Sequence, residues 1–338
     1  MTTHPLFPVF ASLCWSSFTE NPYYHWNYLQ LAFKKSLTFH EQNRAQQHHQ
    51  AVDGISGDDI DSIVTAIQSG TFDTAPFEKT ILVPPFYRYL EKFEILSKYN
   101  ISICLIPKIM STLGKSIFCY LHNPFKFKYH GRRIEEEAYW TSLCRRRILH
   151  DNYTKVEKML GSTRIVFVRH PIDRFLSGFV NKCVRKKEYG ENCFGCGADL
   201  SCFLPRFYDH LMMKYSVHDA RNRSFISVHL SPQSWYCDFK EHLRDYTVIR
   251  YVNSASDSIS NAVELFNVLL HAGVPREYCR EILTSMSVGK SHHSTQRTDA
   301  REKAEQQLYS NRTLLSILIN IYYYDFILFD FKLPLIST

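Results

Sequence analysis

Two short stretches of the 338-residue chain carry residue types that grip anions. The first, Ile106-Pro107-Lys108-Ile109-Met110-Ser111-Thr112-Leu113-Gly114-Lys115-Ser116, ends in the Gly-Lys-Ser of a nucleotide-binding phosphate loop, but Ile109 stands where such a loop places its first glycine. A turn that runs from a strand into a helix points backbone N–H groups and the positive end of the helix dipole into one concavity, which attracts phosphate or sulfate. Lys108 and Lys115 add point charges, and Ser111 and Thr112 add hydroxyl donors. The second stretch, RIVFVRHPIDRFLSGF, sets Arg169 just past an apolar run and Ser177 eight residues later. A planar guanidinium and a hydroxyl so placed make a clamp for a second phosphate. Taken singly, either stretch also fits an ordinary strand-to-helix turn with solvated lysines. The missing glycine weighs against a nucleotide kinase or NTPase, whose loop must wrap a β-phosphate closely.

The elements that position these residues follow from periodicity. The run ISICLI at Ile101–Ile106 reads as a buried strand, being short, rich in β-branched residues and ended by Pro107; SIFCYL after it reads as helix. Ile165–Val168 form a second continuously apolar strand, and FLSGFVNKCV after it a helix opened by Pro171 and Asp173. DYTVIRYV reads as a third strand, followed by a helix over SISNAVELFNVLLHAGV that closes near Gly273. Further helices are expected at Asp58–Ser69, Tyr89–Lys98, Tyr153–Leu160 and from Arg301 through the aromatic run IYYYDFILFDF. Strands alternating with helices predict a mainly parallel sheet covered on both faces, with Arg169 and Ser177 at its C-terminal edge, where ligands bind in such folds. Residues 1–76 read as an irregular lead with one short helix, and residues 77–338 as the main domain.

Composition narrows the setting. A hydrophobic content of 45% and an aromatic content of 14% suit a sizeable core and exclude a disordered chain. Lysine and arginine number 40 against 33 acidic residues, a formal charge of +7, which suits polyanions or a small anionic cofactor. Ten cysteines are many for a reducing compartment. Cys193, Cys196 and Cys202 crowd the segment ENCFGCGADLSCF; a zinc site would want a fourth ligand, nearest at Cys183, and a local disulfide is the favoured reading. Sequons at Asn100, Asn152, Asn222 and Asn311 agree with a secretory lumen. No run of 18 apolar residues stands ready to span a membrane, and no basic region precedes the short apolar stretch LFPVFASLCW. Any signal is therefore expected to be atypical or to lie upstream of Met1.

The residues together resemble a known family. Pro107-Lys108 followed by Ser111 and Thr112, and the pattern Arg-x-Pro-x-x-Arg-x-x-Ser over Arg169–Ser177, are similar to the 5′-phosphosulfate loop and the 3′-phosphate site of PAPS-dependent carbohydrate sulfotransferases (PAPS is 3′-phosphoadenylyl sulfate). Within that group the chain resembles most the Golgi chondroitin, dermatan and HNK-1 type enzymes and their nematode-expanded relatives. The tail Tyr322-x-x-Asp325-Phe326-x-x-Phe329 resembles the closing signature of that family, and the likeness runs from about Ile101 to Leu333. It implies an α/β, P-loop-like three-layer fold with a central mainly parallel sheet flanked by helices. It further implies PAPS as sulfate donor with no metal, an acidic glycan acceptor such as chondroitin, no nucleic acid, and a lumenal Golgi setting with a membrane association through an N-terminal signal. Carried onto this chain, Lys108, Ser111, Thr112 and Lys115 would hold the 5′-phosphosulfate. Arg169 and Ser177, with Arg174, would hold the 3′-phosphate. His170 departs from the aspartate of many relatives, and Met110 and Leu113 from their smaller or polar residues.

Sulfuryl transfer to a sugar hydroxyl is an in-line displacement that needs a placed acceptor oxygen, a base for its proton and a cation at the leaving oxygen. Lys108 is the candidate cation. For the base, His130 in FKYHGRR comes first, since imidazole titrates near neutrality and the arrangement resembles that of uronyl-type enzymes. Glu136, with Glu135 and Glu137, comes next, and His229 in SVHLSPQSWYC is the other histidine to test. Arg132, Arg133, Arg145, Arg146, Arg147, Arg185, Lys186 and Lys187 are candidates for an acidic-glycan groove or plain solvated faces. The loop Ser291–Thr298 is a candidate cover for the cofactor. The rival readings are a phosphate-loop kinase or NTPase, which would bind ATP rather than 3′,5′-ADP, and a catalytically silent glycan-binding relative.

Overall fold

Four consecutive apolar residues, Ile165 to Val168, cannot all face one side of a strand, and in the computed structural model all four are buried. The structure describes residues 57–137, 141–144, 149–150, 153–159, 161–185, 193–218, 223–251, 255–288 and 298–334, all within the unit Ile55–Thr338. In chain order the principal elements are α1 (Gly57–Ser69), β1 (Phe93–Leu96), β2 (Ile101–Cys104), α2 (Ser111–His122), α3 (Pro124–Tyr129), β3 (Leu149–His150), β4 (Thr163–Arg169) and α4 (Pro171–Phe179). A single π turn, Val180–Val184, extends α4. Then come α5 (Leu200–Val217), α6 (Phe225–Leu230), β5 (Tyr246–Tyr251), α7 (Ala255–His271), α8 (Arg276–Val288), α9 (Asp299–Tyr309) and α10 (Arg312–Leu328).

The sheet has the order β3-β1-β2-β4-β5. Strands β2, β4 and β5 are parallel, with Ile103 opposite Ile165 and Phe167 opposite Ile249. Parallel neighbours end at the same edge, so the turns that leave β2 and β4 must emerge side by side. On the far side β1 and β3 add an antiparallel margin. The protein is thus an α/β fold with a central, mostly parallel sheet flanked by helices.

One expectation fails here. The spacing of Tyr89, Leu90, Phe93 and Leu96 predicts a helix over Tyr89–Lys98, yet the segment is extended. Tyr89 donates its N–H to the Trp235 carbonyl at 3.0 Å, Leu90 bridges to Tyr236, and Phe93–Leu96 zip onto β2 before a short turn at Ser97–Tyr99. Short apolar runs satisfy both periods, and the open edge of β2 decides this one. The expected helix from Tyr153 is a single turn, Thr154–Glu157, and the expected C-terminal helix is two, with Asn311 capping α10 through the Leu314 N–H at 3.2 Å.

Eight cysteines among the described residues pair as four disulfides. Cys183–Cys193 and Cys196–Cys202 are the local disulfides expected in place of zinc, and they staple the passage from the π turn into α5. Cys119–Cys144 ties α2 to the segment that follows α3, and Cys104–Cys237 ties the end of β2 across 133 residues. Cys279 is a buried free thiol. Among the described residues no helix is long and apolar enough to cross a membrane. Replacing Cys104 and Cys237 together by alanine is expected to cost about 4 to 5 kcal/mol, because opening so long a loop frees the unfolded chain most. Denaturant melts of the double variant against the parent check this, and the Cys196–Cys202 pair should cost markedly less.

Candidate functional site

The turn after β2 has no glycine where its backbone is most unusual. Lys108 and Met110 both take positive φ, 69° and 52°, a left-handed conformation that side chains resist at about 1 to 3 kcal/mol each. Such strain persists where surrounding contacts hold it, and here they do. Arg174, fully buried on α4, donates its Nε to the Pro107 carbonyl at 3.1 Å and its other nitrogens to the carbonyls of Ser231 at 2.7 Å and His229 at 3.4 Å. Arg169, the last residue of β4, donates to the Lys108 carbonyl at 3.2 Å. Lys108 in turn donates its ammonium to Asn181 Oδ1, in the π turn, at 3.1 Å. The two turns therefore meet through direct hydrogen bonds at one rim of the sheet.

Helix α2 begins at this rim with Met110 as N-cap, a residue whose side chain caps nothing, and with no acidic residue in its first turn. The first N–H groups of a helix have no intrahelical partner, so this terminus faces the rim with its donors and its positive dipole end. Half-buried Ser111 and Thr112 stand in that first turn. Arg169 is buried and its guanidinium lies over the Tyr251 ring at 5.6 Å. Burial pushes its pKa down to about 10, partly offset by Asp173, and it stays charged at neutral pH. Asp173 itself is held by Arg301 at 2.5 Å. Ser177 is buried on α4. Converging cations and an uncapped helix terminus form a donor set that fits a ligand with two anionic ends, such as PAPS, while the nearby Asp173 carboxylate is neutralised by Arg301.

A second tier holds the rim. Gln233 brackets Arg169, accepting its N–H at 2.9 Å and donating to its carbonyl at 2.8 Å. Asp325, fully buried in α10, accepts the N–H groups of Gln233 at 2.6 Å and Ser234 at 2.9 Å. Burial raises the Asp325 pKa, and those two N–H bonds oppose the rise. His170 packs edge-on against Phe326 and Phe331, also at the end of α10. Asp325 belongs to the aromatic tail signature, so that signature acts on the site through Gln233. Sequence reasoning gave no role to Asn181 or Gln233. Asn181 lies four residues past Ser177, one helical turn on, and that spacing was a usable signal; nothing around Gln233 announces it.

The Gly-Lys-Ser triplet lies below the rim. A Cβ on Gly114 would come within 3.1 Å of Leu105 Cδ2 and 3.2 Å of Ile103 Cδ1, so this glycine lets α2 sit close on β2. Lys115 is buried, and its charge acts on Glu94 of β1, which is also buried. Burial raises the Glu94 pKa to about 8 while Lys115 pulls it down. Of the bases named from sequence, the His229 carbonyl is tied to the loop through Arg174, while His130 and the glutamates stand on α3 and the segment after it. His130 ends α3, exposed, with its ring edge-on to Tyr129 at 5.7 Å. Glu136 is exposed and paired with Arg133 at 3.1 Å; Glu135 also binds Arg133, and buried Glu137 accepts the Leu143 N–H at 2.8 Å. Arg145–Arg147, Lys186, Lys187 and the loop 291–297 lie outside the described residues.

Comparison with known proteins decides the family. The pattern of the sulfotransferase family matches residues 91–332, which span both turns and the aromatic tail. The chain belongs to the sulfotransferase family. Carbohydrate sulfotransferase chst-1 of Caenorhabditis elegans is 32% identical over 266 residues, covering 76% of this chain and 80% of that protein. Putative sulfotransferase vep-2 of the same organism is 31% identical over 226 residues, covering 63% and 68%. Uncharacterized protein C18B2.2, also from that worm, is 30% identical over 264 residues, covering 75% and 72%. No solved structure matches the chain.

Two outcomes follow for this sulfotransferase. Glu94 has a higher pKa folded than its ordinary 4.5, so the folded state holds the extra proton; that contribution to stability is present below about pH 4.5 and is lost as pH rises towards 8. Urea unfolding from pH 5 to 8.5 should show this decline, and Glu94→Gln should flatten it. Gln233→Ala leaves the buried N–H and carbonyl of Arg169 without their partner, at a cost of about 2 to 3 kcal/mol in a thermal melt.

Proposed function

We propose that the chain moves a sulfuryl group from PAPS to a hydroxyl of a glycan. The observation that carries this is the contact between the two turns: Arg169 donates to the Lys108 carbonyl, so the groups for the two ends of a bisphosphate stand at one rim. PAPS brings an activated sulfuryl group on a phosphosulfate anhydride and departs as 3′,5′-ADP. In this reading Lys108, Ser111, Thr112 and the α2 terminus hold the 5′ end, and Arg169 with Ser177 holds the 3′-phosphate. Lys108 sits where negative charge grows on the leaving oxygen, the position from which a fixed cation accelerates transfer. Arg174 and Lys115 act as positioning residues. Arg174 clamps the loop backbone, and buried Lys115 bears electrostatically on Glu94 of β1 beneath the loop.

A glycan acceptor is supported by the similarity to carbohydrate sulfotransferase chst-1. An acidic, chondroitin-like chain suits the net charge of +7. Four disulfides among the described residues support an oxidising lumen such as the Golgi. We assign catalysis to residues 77–338 and treat residues 1–76 as a lead to that domain, through which the enzyme would reach the membrane.

The test is transfer of labelled sulfate from PAPS over a panel of acidic and neutral glycans. The parent should transfer to at least one. Lys108→Ala should lower kcat by about 100-fold or more, the range seen when a preorganised charge is removed. Arg169→Ala should act mainly on the KM for PAPS. A parent that transfers to no acceptor and gains no thermal stability from 3′,5′-ADP contradicts the proposal.

A further inference from the structure

Ser102 has no evident purpose in the fold. It lies in β2 with Ile95 of β1 opposite on one side and Arg164 of β4 on the other, at 1% exposure, and among the described residues its Oγ has no hydrogen-bond partner. A buried hydroxyl without a partner weakens a fold, and its strand neighbours Ile101 and Ile103 are buried and apolar. Two residues before it, exposed Asn100 ends the short turn from β1 in the left-handed region, at φ 50° and ψ 43°, which asparagine tolerates. Asn100-Ile101-Ser102 is a glycosylation sequon, and local structure accounts for its asparagine but not for its serine.

The sequon Asn311-Arg312-Thr313 is placed differently, with all three residues exposed. Asn311 accepts the Leu314 N–H on Oδ1 at 3.2 Å. A backbone N–H needs an acceptor, so the amide oxygen makes the cap and Nδ2 takes no part in it.

We propose that Asn100 and Asn311 carry N-linked oligosaccharides, and that the Ser102 hydroxyl serves that attachment rather than the fold. The proposal rests on the lumenal setting proposed above. In the transfer, a bond forms from Nδ2 to the anomeric carbon of the first sugar as the bond from that carbon to the diphosphate of a lipid-linked oligosaccharide breaks. The diphosphate leaves with the electron pair, and Nδ2 gives up one proton to the transferase. The sequon hydroxyl must be within the transferase's reach, so Asn100 is modified before β2 enters the sheet and buries Ser102. Exposed Thr313 sets no such limit.

Both positions keep the sugar away from the donor site. The Thr163 N–H, at the start of β4, donates to the Asn100 carbonyl at 3.0 Å, which sets Asn100 at the edge where the parallel strands begin, while the rim lies where they end. Asn311 opens α10, and Asp325, which holds the rim through Gln233, lies about 20 Å farther along that helix.

Peptide mass spectrometry of the full chain from a eukaryotic secretory host, after enzymatic glycan release in oxygen-18 water, tests this. Positions 100 and 311 should both read as labelled aspartate. Ser102→Ala should lose the label at 100 alone, Thr313→Ala at 311 alone, and Ser102→Thr should keep both. From a bacterial periplasm, where disulfides form without N-glycosylation, Ser102→Ala should melt at or above the temperature of the parent. A variant that melts lower gives Ser102 to the fold and overturns its assignment to the attachment. An unlabelled Asn100 or Asn311 in a chain whose paired cysteines resist alkylation, or a label at 100 that survives Ser102→Ala, overturns the proposal and leaves the lumenal reading intact. Cysteines that all alkylate in the secreted chain remove the lumenal reading itself.

Discussion

The parallel pairing of β2 with β4 is the constraint on which the site depends. With Ile103 set against Ile165, the chain must leave both strands at the same edge, and Lys108 and Arg169 are delivered to one place before any side chain chooses a direction. The hydrogen bond from Arg169 to the Lys108 carbonyl completes what the register begins. It also explains how a loop without glycine keeps two residues at positive φ. The cost is local, and it is offset by buried arginines whose donors reach the loop carbonyls.

Around that contact the protein builds outward in tiers, each fixing the one inside it. Gln233 brackets the Arg169 backbone, and Asp325, fully buried in α10, fixes Gln233. On the other side Arg174 ties the loop to α6, and Gly178 lets α4 approach Leu230 closely. A buried arginine whose donors reach three carbonyls and a buried aspartate that accepts two backbone N–H groups are polar groups used for geometry, and neither is easily moved.

Much of this was legible in the sequence, and the reasons differ by element. Strands β2, β4 and β5 announced themselves as short apolar runs, and α4 by Pro171 and Asp173, because local chemistry alone settles those. The two turns stood out as candidate anion sites because lysine, serine and arginine gather at both strand-to-helix junctions, although either turn alone also suits a plain surface loop. Strand β1 was misread because its apolar spacing also suits a helix, and only the vacant edge of β2 chooses. Lys115 shares a helical face with Ser111, but one turn farther along that face has passed beneath the rim into the core. Gln233 was invisible, since its importance comes from a residue 64 positions away. The family tail was recognised as a pattern, and its physical purpose, holding Gln233, emerged only with the packing.

In the proposed function the two turns hold opposite ends of one adenosine bisphosphate. Calorimetric binding of 3′,5′-ADP and of 5′-AMP, which lacks the 3′-phosphate, to the parent, Lys108→Ala and Arg169→Ala measures it most directly. Lys108→Ala is expected to weaken both ligands by about tenfold or more, and Arg169→Ala to do so for 3′,5′-ADP alone. Equal losses for both ligands in Arg169→Ala, or no loss in either variant, would contradict it.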